Sequence, residues 1–173
     1  MAIITLNNNA LSSVTELPSG ISGQNYPAFF AYKDANSTLS DATWTKVICN
    51  VETLDTDSAY DTATGEYTFT TSGKYCVFFN AFAKADGNSR CERVIGRIVR
   101  ERDGTDFSVA HGETDFRSNP GRGAAVSATS SYEFNVGDII YLEINLDVNA
   151  GTGSVFGDST AIYTSFGSFR IGD

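Results

Sequence analysis

The sequence predicts an all-β domain, a sandwich or barrel of short strands. Two observations lead there. Short runs that alternate apolar and polar residues recur along the chain, separated by Gly-, Asn- and Asp-rich turn clusters, and no segment carries a helical period. The composition agrees: 16 Gly, a single Met and 12% aromatic residues among 173 suit strands and turns better than helices.

Taken in order, the elements begin after Tyr26. Residues 27–32 (PAFFAY) form a short aromatic run. In WTKVICNV, residues 44–51, Trp44, Lys46 and Ile48 share one parity and Thr45, Val47 and Cys49 the other, which predicts one strand. In GEYTFT, residues 65–70, Tyr67 and Phe69 alternate with Glu66, Thr68 and Thr70. Residues 73–83 (GKYCVFFNAFA) are apolar on both parities, the pattern of a strand covered on both faces. RVIGRIVRE at 93–101 and DFSVAH at 106–111 flank Asp103-Gly104, a hairpin signal. Residues 124–134, 138–148 and 161–171 complete a set of roughly eight to ten strands. The turns between them include 61–65, 86–88, 119–121, 136–138 and 150–153.

Composition also narrows the function. Twenty-one acidic against twelve basic residues give a net charge of -9, which argues against nucleic acid and against an anionic membrane surface as main partner. No run approaches the length of a membrane span, so no insertion is expected. Residues 1–14 have neither a basic region nor a long apolar stretch, so a secretory leader is not expected. Cys49, Cys76 and Cys91 are odd in number and widely spaced, and read as small buried hydrophobes rather than a disulfide framework. The one histidine, His111, has Ser108, Asp106 and Asp115 nearby, but no nucleophile-elbow motif accompanies it, and it reads as a loop or strand-end residue. Carboxylates are plentiful, yet nothing singles out a glycosidase pair, and no enzyme is expected.

Residues 1–25 read as an extended arm, and residues 26–173 as the head domain. Ile3, Ile4, Leu6, Leu11, Val14 and Leu17 surround a polar Asn7-Asn8-Asn9 knot and need a surface to cover, either on their own domain or, the favoured reading, on a partner. Arg90, Arg93, Arg97, Arg100 and Arg102 concentrate five of the twelve basic residues in a short span. They read as an exposed strand pairing with neighbouring carboxylates, the alternative being a patch for an acidic glycan or an acidic neighbouring subunit.

Several motifs, in this order, resemble the globular head of complement component C1q, a jelly roll of the tumour-necrosis-factor-like type. They are Pro27-Ala28-Phe29, then Tyr60-Asp61-x-x-Thr64-Gly65-x-Tyr67, Gly73-x-Tyr75-x-Val77-x-Phe79, Val136-Gly137-Asp138-x-Ile140-x-Leu142 and Phe166-Gly167-Ser168-Phe169-Arg170-Ile171. Val77 stands where that family has an aromatic residue, and Arg170 where it has an apolar one. The resemblance implies a jelly roll assembling as a homotrimer. Gly73, Tyr75, Phe166 and Ile171 match positions the family uses for protomer packing, with a bend near Gly167 needed to turn both Phe166 and Ile171 inward. Tyr67, Phe69 and Phe169 read first as core and second as trimer-interface residues. Some members bind calcium through loop carboxylates, for which Asp86, Asp147 and Asp158 are the candidates, although solvated turn residues are the simpler reading. No other cofactor is implied.

Residues 6–21 resemble leader segments of structural proteins of bacterial viruses. Together these readings predict a non-enzymatic, trimeric virion protein held to another virion protein by residues 1–25. It would be associated with a tail or fibre and bind a host-surface glycan. The alternatives are a capsid decoration protein and a secreted, lectin-like recognition module.

Overall fold

The computed structural model describes residues 26–172, and every regular element among them is a strand. The arm residues Ile3, Ile4, Leu6, Leu11, Val14 and Leu17 lie outside the described residues. In chain order the strands are β1 (Ala28–Tyr32), β2 (Ser37–Ser40), β3 (Thr45–Lys46), β4 (Val51–Asp55), β5 (Tyr60–Asp61), β6 (Glu66–Thr68) and β7 (Gly73–Ala85). They continue with β8 (Cys91–Arg102), β9 (Thr105–Asp115), β10 (Gly123–Phe134), β11 (Ile139–Val148), β12 (Thr152–Val155) and β13 (Ser165–Gly172).

The strands form two antiparallel sheets. A seven-stranded sheet runs β2-β12-β7-β13-β1-β4, with β10 on the other side of β7. A six-stranded sheet runs β5-β6-β11-β8-β9, with β3 also paired to β11. The long strands are those whose sequence alternates over ten or more residues, and the added elements are short segments of two to five residues. The expected single strand at 44–51 is divided, because the chain changes sheets there: Thr45 and Lys46 pair with β11, whereas Val51 to Asp55 pair with β1.

The two inner faces make one core. On β7, Tyr75, Val77, Phe79, Ala81 and Ala83 point inward and are buried; Ile140, Leu142, Ile144 and Leu146 answer from β11. Rings fill the lower half. Phe29 stacks on Tyr67 at 4.2 Å, and Phe69 stacks on Phe134 at 4.0 Å with Tyr75 edge-on at 4.6 Å. The tyrosine hydroxyls are satisfied at the core margin: Tyr60 donates to Cys49 O and Tyr75 to Thr71 O, each at 2.7 Å. Burial pushes the Tyr75 phenol up to about 12. Gly96 on β8 lets the sheets close, since a Cβ there would lie 2.5 Å from the Phe79 ring.

The Asp103-Gly104 hairpin forms as its sequence predicts, with both residues at positive φ, 52° and 72°. Along one side of the sandwich β9 and β10 run next to each other: Thr114 Oγ1 donates to Ala125 O at 3.3 Å, and the Phe107 and Tyr132 rings lie 6.0 Å apart.

Candidate functional site

The outward positions of the seven-stranded sheet carry an unusual set of side chains. Alternation along β7 sends Cys76, Phe78, Asn80 and Phe82 away from the core. Register brings Phe30 of β1 and Phe169 of β13 to the same face, because Phe30 pairs with Gly167 across from Phe78, and Phe169 pairs with Cys76. Phe78 has the Phe30 and Phe169 rings each 6.2 Å away. A second group gathers Phe82, Phe156 and Tyr163, with Phe156 and Tyr163 edge-to-face at 4.8 Å. Lys84 holds its ammonium 4.8 Å from the Phe156 ring, leaving the aromatic surface intact. Leu54 and Ile171 extend the patch and are half exposed, at 46% and 50%. On neighbouring β10 the outward residues are small and polar: Ser127, Thr129 and Ser131.

The residues 73–83 were expected to be covered on both faces, and the described chain covers only one of them. Phe78 and Phe82 are half-buried where Phe79 is almost completely buried. Two groups of half-exposed rings on one sheet face make the kind of apolar surface that docking sites use.

The outer face of the six-stranded sheet is chemically opposite. Arg97 Nε donates to Glu143 Oε2 at 2.8 Å and its Nη2 lies 2.7 Å from the same oxygen, while its guanidinium stacks 4.0 Å over Trp44. Arg93 lies 3.8 Å from both Glu113 and Asp147. Lys46 reaches Glu66 and sits 4.1 Å over Tyr141. At the end of β8, Arg102 holds Asp138 with two bonds, the Nε bond at 2.6 Å. Burial pushes the Asp138 carboxyl up, but Arg102 and the Asn135 N–H more than offset it, so the group sits below the usual carboxylate range. The arginine cluster is therefore largely the paired-strand arrangement that alternation suggested.

Several expected site residues take other places. Tyr67 and Phe69 are fully buried inside one chain, so neither has surface left for a neighbour: both are core residues, which corrects their second reading as interface residues. Gly73, Tyr75 and Phe166 pack within the protomer. Gly73 has φ 145°, and a Cβ there would lie 2.6 Å from Gly172 O. Ile171 does not turn inward. The strand stays regular through Gly167, and its irregularity falls between Arg170 and Gly172, leaving Ile171 exposed. Phe169 alone of the three interface candidates faces outward, half-buried.

The calcium candidates are not brought together. Asp86 accepts from Ser154 Oγ at 2.7 Å, Asp158 accepts from Thr160 N at 2.7 Å, and Asp147 lies beside Arg93. No group of three or more His, Cys, Asp or Glu placed to hold a metal occurs among the described residues. His111 and Ser108 are both on β9, but Ser108 Oγ donates to Ala110 O at 3.4 Å and His111 lies 3.9 Å from Glu113, so no triad is assembled there. All three cysteines are free, and burial pushes the Cys49 thiol up to about 12, with Lys33 opposing.

An open cleft of about 630 Å³ lies below the core, lined by Tyr26, Pro27, Thr56, Asp57 and Thr71. Asp57 accepts from the Tyr67 hydroxyl at 3.1 Å and from Thr70. Its carboxyl is raised above the usual range, chiefly by burial, with Thr70 opposing and Asp55 adding to it.

Three solved structures align over most of the chain. The globular domain of zebrafish complement 1qA covers 84% of this chain and 97% of its own at TM-score 0.60 and 17% identity. Eiger TNF from S. frugiperda covers 84% and 92% at TM-score 0.63 and 11% identity. Murine APRIL covers 83% and 98% at TM-score 0.58 and 13% identity. The chain has the C1q and tumour-necrosis-factor-like jelly-roll fold. No family model and no curated protein sequence matches the chain.

The outer aromatics Phe30, Phe78, Phe82, Phe156 and Tyr163 were not singled out from sequence. Their signal was present in the two-sided apolarity of residues 73–83. It lacked only the knowledge that, among the described residues, no second layer lies over the outer side.

Proposed function

We propose that this chain is a non-enzymatic structural protein of a virion that works as a homotrimer, its protomers meeting on the outer face of the seven-stranded sheet. The observation that carries the self-association is the half-buried aromatic surface around Phe78 and Phe82, on a strand whose sequence is apolar on both sides. Covering the exposed half of such rings contributes roughly 1 kcal/mol per large side chain, and in sum supports a stable assembly. The jelly-roll fold supports the reading, and a closed ring satisfies every copy at once.

The virion assignment and a tail or fibre position are supported by the resemblance of residues 6–21 to leaders of bacterial-virus structural proteins. Residues 1–25 then serve as the attachment segment to another virion protein, and loops of the head meet a host-surface glycan.

Sedimentation equilibrium of the full chain tests the assembly: a trimer at micromolar concentration is expected, and a monomer overturns it. Quantitative mass spectrometry of purified particles tests the location. A low copy number divisible by three fits a tail; a number close to that of the major capsid protein makes it a decoration protein; absence removes the virion reading.

A further inference from the structure

Among the four arginines of β8 beyond Arg90, one is arranged differently. Arg93, Arg97 and Arg102 each face a carboxylate. Arg100 forms no ion pair among the described residues; Asp138, whose carboxyl it helps to lower, feels its charge without direct pairing. Its guanidinium lies instead beside a pair of adjoining rings, 5.7 Å from Phe107 and 5.8 Å from Tyr132. Strand register fixes the arrangement, because Arg100 and Phe107 are direct partners across the β8–β9 hairpin. Tyr132 approaches from β10. Arg100 Nε is closed off from water with no acceptor, and Phe107 is 52% exposed although it is a large apolar ring.

A guanidinium set against two adjoining rings, one of them half exposed, suits a carboxylate that arrives on another surface. The rings hold the fork in place, so little side-chain freedom is lost on pairing, and they shield the pair from water.

We propose that Arg100, with Phe107 and Tyr132, is a carboxylate-binding contact for a second copy of this chain. The inference rests on the trimeric reading above. Charge favours this occupant: the chain has 21 acidic residues against 12 basic ones, so another copy offers carboxylates in excess. Position favours it as well. The contact sits at the β9–β10 side, whereas the aromatic face belongs to the seven-stranded sheet. Two different patches on one chain make a heterologous contact, the kind that closes into a ring.

The test is sedimentation equilibrium of the full chain at low and high salt, comparing wild type, Arg100→Gln and Arg100→Lys. Wild-type association is expected to weaken with salt. Arg100→Gln raises the dissociation constant about tenfold and flattens the salt response, and Arg100→Lys restores the salt response without the full affinity. Phe107→Ser reads the same contact through its exposed apolar half, with a similar loss, should Arg100→Gln unfold. Variants that associate as tightly as wild type with the same salt response overturn this contact and leave the trimer standing. A wild-type chain that stays monomeric overturns both.

Discussion

The outer faces of the two sheets were built from the same strand geometry and finished for different surroundings. On the six-stranded sheet, outward positions hold Arg93, Arg97, Glu143 and Asp147, paired across β8 and β11, with Trp44 and Lys46 laid over them. Charges paired in this way are compatible with water and gain little from being covered. On the seven-stranded sheet, the equivalent positions hold Phe30, Phe78, Phe82 and Phe169, bordered by Asn80, Lys84 and the small polar residues of β10 but by no ion pair of the kind seen on the other sheet. The inner face of β7 separately buries Tyr75, Val77 and Phe79. The difference teaches that ion pairing finishes one face while the other keeps its rings half exposed among the described residues.

Adjacent residues of β7 provide the sharpest way to break that contrast. Phe79→Ala removes a ring that is 2% exposed and packed over Gly96. It is expected to cost about 3–5 kcal/mol of protomer stability, equally at every protein concentration, as read by denaturant unfolding. Phe78→Ser, one residue earlier, is expected to cost about 2 kcal/mol of association and to change the unfolding of the dilute chain little. Its signature is a melting temperature that no longer rises with protein concentration. If the two substitutions behave alike, the outer face is part of the fold and not a docking surface.

A buried carboxylate supplies a second contrast, between charges that hold the fold and charges that merely decorate it. Asp138 is 2% exposed and accepts from Arg102 and from Asn135 N. Asp138→Ala is expected to cost about 1–3 kcal/mol, since it strands the Asn135 donor and removes the Arg102 bonds. The pH dependence has a definite sign. Asp138 titrates below its unfolded value, so its contribution is complete above about pH 4 and is lost as acid brings the pH through its folded pKa. Asp57 runs the other way: its carboxyl is raised, so the folded state takes up a proton first and gains stability as pH falls through that raised value. Asp57→Asn is expected to flatten the second response and Asp138→Asn the first, in thermal melts across acidic pH.

Much of this architecture was legible in the sequence because strand alternation and turn chemistry are local. The Asp103-Gly104 turn, the two-sided run at 73–83 and the ordered motifs from Pro27 to Ile171 each reported a nearby physical requirement. What was not legible depended on which sheet a segment joins. The run 44–51 alternates throughout, and only its partners, β11 and then β1, show that it crosses between layers. Parity alone likewise cannot separate Tyr67 and Phe69, closed inside the core, from Phe169, which looks outward. The roles of Arg100 and Phe107 emerged from three strands brought side by side, a relation that no spacing in the sequence expresses.

The smallest expected effect lies on the polar face. Arg97 has an ideal partner in Glu143 and a ring beneath it, yet its side chain remains 30% exposed. Water therefore competes for both charges, and the pair costs side-chain freedom to hold. Arg97→Ala is expected to change protomer stability by no more than about 1 kcal/mol and to leave association untouched at any salt concentration. A larger loss confined to the assembled state would mean that the charged face also meets a neighbour, and that the two sheets differ in the kind of contact they make rather than in whether they make one.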